Sequence, residues 1–403
     1  MTGTPGIRNR TRRAVYDYVR EQGFATKKDI ADALGMSLPT VSKYLNHFLE
    51  AGLLEPGPKQ SSGSQGGRNP ITYACVADGR YAVGVDVTRD RARFLLVNLD
   101  RRVLAERRTA RRFENTESYY AFVAGEVEVL IEQAGIDRSR IFGVGIAVPG
   151  LISETTGKVT YGRVIDNVGL SAADFARHLP YEIRLVHDSE AAGLAEFWSK
   201  EAGDNAVYLS LSKSVGGSVL INGGMYRGDG EIAGELGHMR IHDDGLLCYC
   251  GRHGCLDPYC NAEVLSRHTD GSVGRFFQEL SAGDPELAGV WDHYTSDLAI
   301  GIHNIRVMFG CTIILGGDVG SHGRDHLADL RAKVDRLNFL ASDSSTFLVP
   351  SRFTRHPIAV GAALYLVADF RQNLGAALPP RTRQVEAPSA SAPLDADIPL
   401  GTR

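Results

Sequence analysis

The chain has 403 residues, 43% of them hydrophobic and 23% charged, with a formal net charge of −4. That composition suits a soluble protein with enough apolar mass for two or three cores, and no run approaches the ~20 apolar residues of a membrane span. The net charge hides an asymmetry. Residues 1–70 carry ten basic and six acidic side chains, a balance of +4, which leaves −8 for the remainder. A basic head on an acidic body predicts a polyanion-binding module joined to a part with another task. Residues 1–13 are polar and arginine-rich and lack the apolar stretch of a secretory signal, so a cytoplasmic protein is expected.

Val15, Tyr18 and Val19 predict a helix over residues 9–21, and Ile30, Ala33 and Leu34 a second over 27–34, ended by Gly35. Ser37 caps a third, with Pro39 in its first turn and Val41, Tyr44, Leu45, Phe48 and Leu49 available for a core. The break between the second and third is that of a helix-turn-helix. Residues 53–55 and 71–75 read as two short strands around a polar tip at 59–68, which completes a winged helix over residues 1–75. In that arrangement Leu38, Pro39, Thr40, Ser42, Lys43 and Asn46 are expected to face the major groove of a double-stranded DNA operator, and Arg68, beside two glycines that let a backbone come close, joins the DNA-binding set.

From residue 76 the pattern changes. Strands are predicted at 81–87, 93–99, 141–148, 183–186, 206–211, 217–221 and 312–315, with a helix starting near Ser189. Strands alternating with helices indicate an α/β body of two similar lobes with a ligand cleft at the strand ends, spanning residues 76–375. The tail 376–403 is rich in Pro, Ala, Ser and Asp without periodicity and is expected to be disordered.

Cys248, Cys250 and Cys255 lie within eight residues, with glycines at 251 and 254 that permit tight turns. Three thiolates and one imidazole make a closed tetrahedral Zn2+ site with no open position for chemistry. His238 is the first candidate for the fourth ligand, with His242 and His253 as rivals.

These residues resemble the ROK proteins, a family of repressors, uncharacterised reading frames and sugar kinases. Cys248 to Asp257 is similar to the family's C-x-C-G-x-x-G-C-x-E motif with Asp in the last place, and Glu235-Leu-Gly-His238 matches its E-x-G-H element. The loop Gly145 to Gly150 is similar to its sugar loop, Asn167 to its asparagine, and His187-Asp188 stands where it has Asn-Asp. The resemblance implies an actin-like ATPase fold in which Asn167, Asp188, Glu235, His238 and Asp257 contact sugar hydroxyls. It also implies that His238 presents one ring nitrogen to zinc and the other to the sugar.

With a helix-turn-helix in front, the chain looks like the repressor branch. Asp86-Val-Thr-Arg-Asp-Arg91 has no glycine where the kinases have D-x-G-x-T, and Ser212-Lys-Ser-Val-Gly-Gly217 has lost the glycines flanking the threonine of G-T-G-x-G. A nucleotide cradle needs small residues whose N–H groups reach phosphate. The expectation is a sugar- or sugar-phosphate-responsive repressor, a homodimer or homotetramer at the bacterial nucleoid, without catalysis. The alternative is a glucokinase-like enzyme carrying a DNA-binding domain, with Asp188 as general base.

Overall fold

The computed structural model describes residues 5–59, 70–198, 203–338, 343–353 and 356–374. Arg68, most of the polar tip and the 376–403 tail lie outside the described residues. The first three helices are α1 (Pro5–Gln22), α2 (Lys27–Leu34) and α3 (Leu38–Glu50). Thr26 caps α2 through a reciprocal box with Asp29, and Gly35 closes it at φ 62°. Ala31, not Ala33, turns inward beside Ile30. Ser37 precedes α3, but its hydroxyl pairs with Thr40 Oγ1 at 2.8 Å and makes no cap to the backbone. The strands β1 (Ala25–Thr26), β2 (Leu54–Lys59) and β3 (Ile71–Cys75) form an antiparallel sheet in the order β1-β3-β2. Three helices and this sheet make the winged helix.

Two five-stranded sheets follow. The first contains β4 (Tyr81–Val87), β5 (Arg91–Asn98), β6 (Val103–Ala110), β7 (Ile141–Val148) and, after the small hairpin of β8 (Leu151–Ile152) and β9 (Val159–Tyr161), β10 (Glu182–His187). The second contains β11 (Ala206–Leu211), β12 (Val215–Ile221), β13 (Gly224–Tyr226), β14 (Thr312–Gly316) and β15 (Leu348–Pro350). Their orders, β10-β7-β4-β5-β6 and β15-β14-β11-β12-β13, are the same. Each is an antiparallel meander whose first strand pairs in parallel with the fourth. The two lobes therefore repeat one topology, as their alternating elements predicted. β6 was not anticipated: its charged sequence alternates on an edge, so it lacks the apolar run that marks the buried strands.

Two helices join the lobes. Asp188–Phe197 packs on β11 and β12 of the second lobe, while Pro357–Gln372 packs on β4, β5 and β7 of the first. Where they cross, a methyl group placed on Gly361 would lie 1.6 Å from the carbonyl oxygen of Ala191, so only glycine permits the contact. The head is not on a free tether. Val15, Leu45 and Phe48 share one buried cluster with Leu95 and Val97 of β5 and with Ala363 and Val367 of the Pro357 helix. No helix among the described residues is long and apolar enough to cross a membrane.

The tight crossing yields a test. Gly361→Ala forces the helices apart and should cost about 1–3 kcal/mol in urea unfolding, the usual penalty for overpacking. Gly125→Ala, on an exposed helical face with open space around it, should change stability by less than ~1 kcal/mol and in the favourable direction.

Candidate functional site

The polar start of α3 is presented to solvent. Leu38, Pro39, Lys43 and Asn46 are exposed, Thr40 and Ser42 are half-buried, and Val41, Leu45 and Phe48 anchor the opposite face. Of the residues read as base-facing, four are therefore exposed and two half-buried, and Arg68 lies outside the described residues.

The three cysteines and His238 converge. Their ligand atoms all lie within 4.8 Å of one another. Cys248 Sγ is 3.6 Å from His238 Nδ1, and Cys250 Sγ is 3.8 Å from Cys255 Sγ. A tetrahedron with metal–sulfur bonds of ~2.3 Å and a metal–nitrogen bond of ~2.05 Å has edges of ~3.8 Å between sulfurs and ~3.5 Å between sulfur and nitrogen. The donor set thus fits one metal ion. The rivals are committed elsewhere: His242 Nε2 meets Asp297 Oδ1 at 2.8 Å, and His253 Nδ1 meets the Gly245 carbonyl at 2.9 Å. Gly254 makes the knuckle possible, because a methyl there would lie 1.7 Å from the His242 carbonyl oxygen. With Nδ1 turned to the thiols, His238 Nε2 faces Glu235 Oε2 at 3.8 Å, and the Tyr249 ring stands edge-on at 5.1 Å.

The other expected sugar residues divide into two kinds. Asp188 and Glu235 are partly open to solvent. Asp188 is the first residue of its helix, with Oδ1 accepting from Ser189 N at 2.7 Å and lying 3.2 Å from His187 Nε2. Asn167 and Asp257 are buried and already bonded to backbone. Asn167 Nδ2 donates to the Pro149 carbonyl at 3.0 Å and so fixes the Pro149–Gly150 turn, while its Oδ1 is buried without a partner. Asp257 Oδ1 accepts from Val215 N at 2.6 Å, in the second phosphate-type loop; burial raises its carboxyl, against the pull of that bond.

Backbone donors in the two loops that resemble the kinases' phosphate loops, and at the turn after β14, have internal partners. Val215 N has Asp257, Gly317 N donates to Tyr208 Oη at 3.2 Å, and Asp318 N donates to Ser212 Oγ at 3.2 Å. Thr88 N donates to the Arg91 carbonyl at 2.9 Å. Lys213 reaches Asp90 at 3.8 Å, joining the two loops across the cleft. The Gly316-Gly317 pair has a packing reason, since a methyl on Gly316 would lie 2.2 Å from Tyr208 Oη.

The motifs did not reveal a chamber of about 500 Å3 between the lobes, beyond His187. Arg227 crosses it, pairing with Glu154 at 3.0 Å and bonding Glu190 and Tyr365, while Glu231 accepts from the Glu154 amide. The bonded partners are 37 to 138 residues apart in sequence, and no local spacing signals them.

The comparisons with known proteins fit this architecture. The ROK family profile matches residues 82–369, and a winged helix-turn-helix DNA-binding profile matches residues 8–55. The xylose repressor of Bacillus subtilis (strain 168) is 25% identical over 358 residues, covering 86% of this chain and 91% of that protein. The DNA-binding transcriptional dual regulator NagC of Escherichia coli (strain K12) is 25% identical over 259 residues, covering 63% of each. Among solved structures, a ROK family transcriptional regulator described as a homologue of the E. coli MLC protein superposes with a TM-score of 0.76 at 20% identity, over 92% of this chain and 99% of that one. A ROK family glucokinase from Streptomyces griseus superposes with a TM-score of 0.60 at 22% identity, over 71% of this chain and 98% of that one.

Asp86 is buried with Oδ1 unpartnered, and Arg93 is 3.9 Å from Oδ2. Burial pushes its carboxyl up to about 6, Arg93 pulls it down, and Asp188 adds to the rise. Between the unfolded value of ~3.9 and this one, the folded protein holds a proton that the unfolded chain has released. Stability should therefore fall as pH rises from about 4 to about 6. Asp86→Asn should flatten that slope in urea titrations and add about 2 kcal/mol at pH 8. A slope unchanged by the substitution would assign the effect to another group.

Proposed function

The chain belongs to the ROK family, and from that premise we propose that it is a sugar-responsive, DNA-binding transcriptional regulator of the repressor type. The observation that carries this reading is the pairing of an accessible recognition helix with phosphate-type loops whose backbone donors are internally bonded. Phosphoryl transfer depends on positioning and neutralising phosphates. Here Asp257 supplies the acceptor that a nucleotide phosphate would supply, and Asp90 adds negative charge beside the cleft. Asp188 is then a hydroxyl ligand rather than a general base.

In the cleft, Asp188, Glu235 and His238 Nε2 take the sugar hydroxyls through charge-assisted or imidazole hydrogen bonds. Asn167 and Asp257 hold the walls, one at the Pro149 turn and one at Val215. Cys248, Cys250, Cys255 and His238 hold zinc, which supplies no reactive position and serves as a structural cross-link. Its consequence for the sugar is indirect: a metal on Nδ1 fixes the tautomer that leaves Nε2–H facing the cleft. A DNA-bound homo-oligomer at the nucleoid would read two half-sites, separated by whole turns of ~34 Å.

Two measurements test this reading. The purified protein should contain about one zinc per chain by mass spectrometry, and Cys250→Ser should lose it together with sugar binding. A variant that keeps sugar affinity without metal would separate His238 from the cleft. In fluorescence anisotropy at two salt concentrations, the DNA upstream of the protein's own gene should bind at least ~1,000-fold more tightly than unrelated DNA. D-xylose, D-glucose, N-acetyl-D-glucosamine or a 6-phosphate of these should shift that affinity, and Asp188→Asn should abolish the shift. ATP-dependent phosphorylation of any of these sugars, lost in Asp188→Asn, would instead establish a kinase.

A further inference from the structure

The head and the cleft meet at one arginine. Arg371 lies near the end of the Pro357–Gln372 helix, and its Nη2 pairs with Asp17 Oδ1 of α1 at 2.6 Å, with both side chains largely buried. The same guanidinium lies 5.9 Å from the ring centroid of Trp198, which closes the Asp188–Phe197 helix. Arg371 thus touches the first-lobe helix that carries it, the second-lobe helix beside it and the DNA-binding head.

The other ends of these helices lie at the cleft. Asp188 begins one, and Glu190 in its first turn bonds Arg227 of the second lobe. Tyr365 of the other helix bonds the same Arg227, and Arg184 of β10 stacks on the Tyr365 ring at 4.9 Å and pairs with Asp369 at 3.6 Å. From Tyr365 to Arg371 is six residues, ~9 Å of helix. The head shares its core mainly with the first lobe and the Pro357 helix, and the Asp188 helix reaches the same cluster through Ala195, Leu194 and Trp198 at its end. A movement of the second lobe carries the Asp188 helix, and packed helices accommodate such movements by small sliding steps. Sliding at the Gly361–Ala191 crossing displaces Trp198 beneath Arg371. Asp17 already holds a second cation, Arg13 of α1, whose Nε meets Oδ2 at 3.2 Å, so the carboxylate stays paired when Arg371 exchanges away from Oδ1.

We propose that Arg371 is the positioning residue that converts sliding between the two hinge helices into a shift of α1 and the recognition helix, through its exchangeable ion pair with Asp17. The inference rests on the regulator reading above and deepens it by assigning the route from sugar to DNA. Arg371 contacts neither sugar nor DNA. Its removal should therefore change the coupling between the two sites rather than the affinity at either one.

The experiment measures operator affinity of the full-length protein by anisotropy, with and without D-xylose, D-glucose, N-acetyl-D-glucosamine and their 6-phosphates, and sugar affinity by calorimetry. Wild type should show a 5–150-fold effect of at least one sugar on operator affinity, the usual range of allosteric coupling. Arg371→Gln should keep operator affinity without sugar, and sugar affinity without DNA, within about threefold while the coupling factor falls below about 3. Arg371→Lys, which keeps the charge, should restore most of it. Asp17→Asn should reproduce the loss from the other partner and carries the test if Arg371→Gln does not fold. Wild-type coupling in both Arg371→Gln and Asp17→Asn overturns this route and leaves the regulator reading standing. An operator that no sugar affects in the wild type overturns both.

Discussion

The structure depends on the contact between Gly361 and Ala191. Each hinge helix lies on the sheet of a different lobe, and the two touch so closely that no side chain fits between them. Close-packed interfaces of this kind are not continuously deformable; they hold one arrangement or step to another. The cleft, the chamber and the seat of the head are all built from residues on or beside these helices. Asp188 and Glu190 start one, Tyr365 and Asp369 lie along the other, and Trp198 and Arg371 finish them. A ligand that favours one lobe arrangement therefore acts on a joint with few intermediate positions, which is what a two-state regulator requires.

How much of this was legible in the sequence follows from the range of the interactions. The three head helices were readable because their signals are local: apolar spacing within each, Gly35 after one and Pro39 inside the next. The cluster of metal-ligand type was readable for the same reason, since three thiols lie within eight residues, and only the convergence of His238 rather than His242 or His253 needed the fold. β6 was missed because an edge strand with one wet face carries charged residues. The inward turn of Asn167 and Asp257 was also beyond the sequence. Motif matching identified both residues, but it cannot show that Asn167 donates to Pro149 or that Asp257 bonds Val215. The Arg227 and Arg371 networks join residues from lobes and domains far apart in the chain, so neither leaves a spacing to read.

The substitution of Asp for Glu at position 257 gains a physical meaning from its bond to Val215. A carboxylate one methylene shorter reaches less far into the cleft, and here it turns to the backbone of the loop that would cradle phosphate. It is also two residues from Cys255, so the cysteine cluster and the loop of Val215 are joined by one buried hydrogen bond. Binding of a nucleotide phosphate at Val215 would require that bond to break and would leave a buried carboxylate without its donor, a cost of a few kcal/mol on the usual scale for such groups. In the proposed sugar site the same interaction also stabilises the wall.

On the regulator reading proposed above, loss of catalysis and gain of sensing are one change in this fold rather than two. A kinase must open its phosphate loops to nucleotide in every turnover, and flexible glycines serve that cycle. A sensor benefits from loops that are already satisfied, because sugar binding then spends none of its free energy on ordering them. Asp257 on Val215, Tyr208 on Gly317, Ser212 on Asp318 and the Lys213–Asp90 pair are contacts of that kind. They leave the ligand's differential affinity for the two lobe arrangements free to act on the hinge helices, and a ligand can shift an equilibrium by no more than that difference. On that reading, the internally bonded loops on one side of the cleft are what allow a small sugar on the other side to move a DNA-binding head.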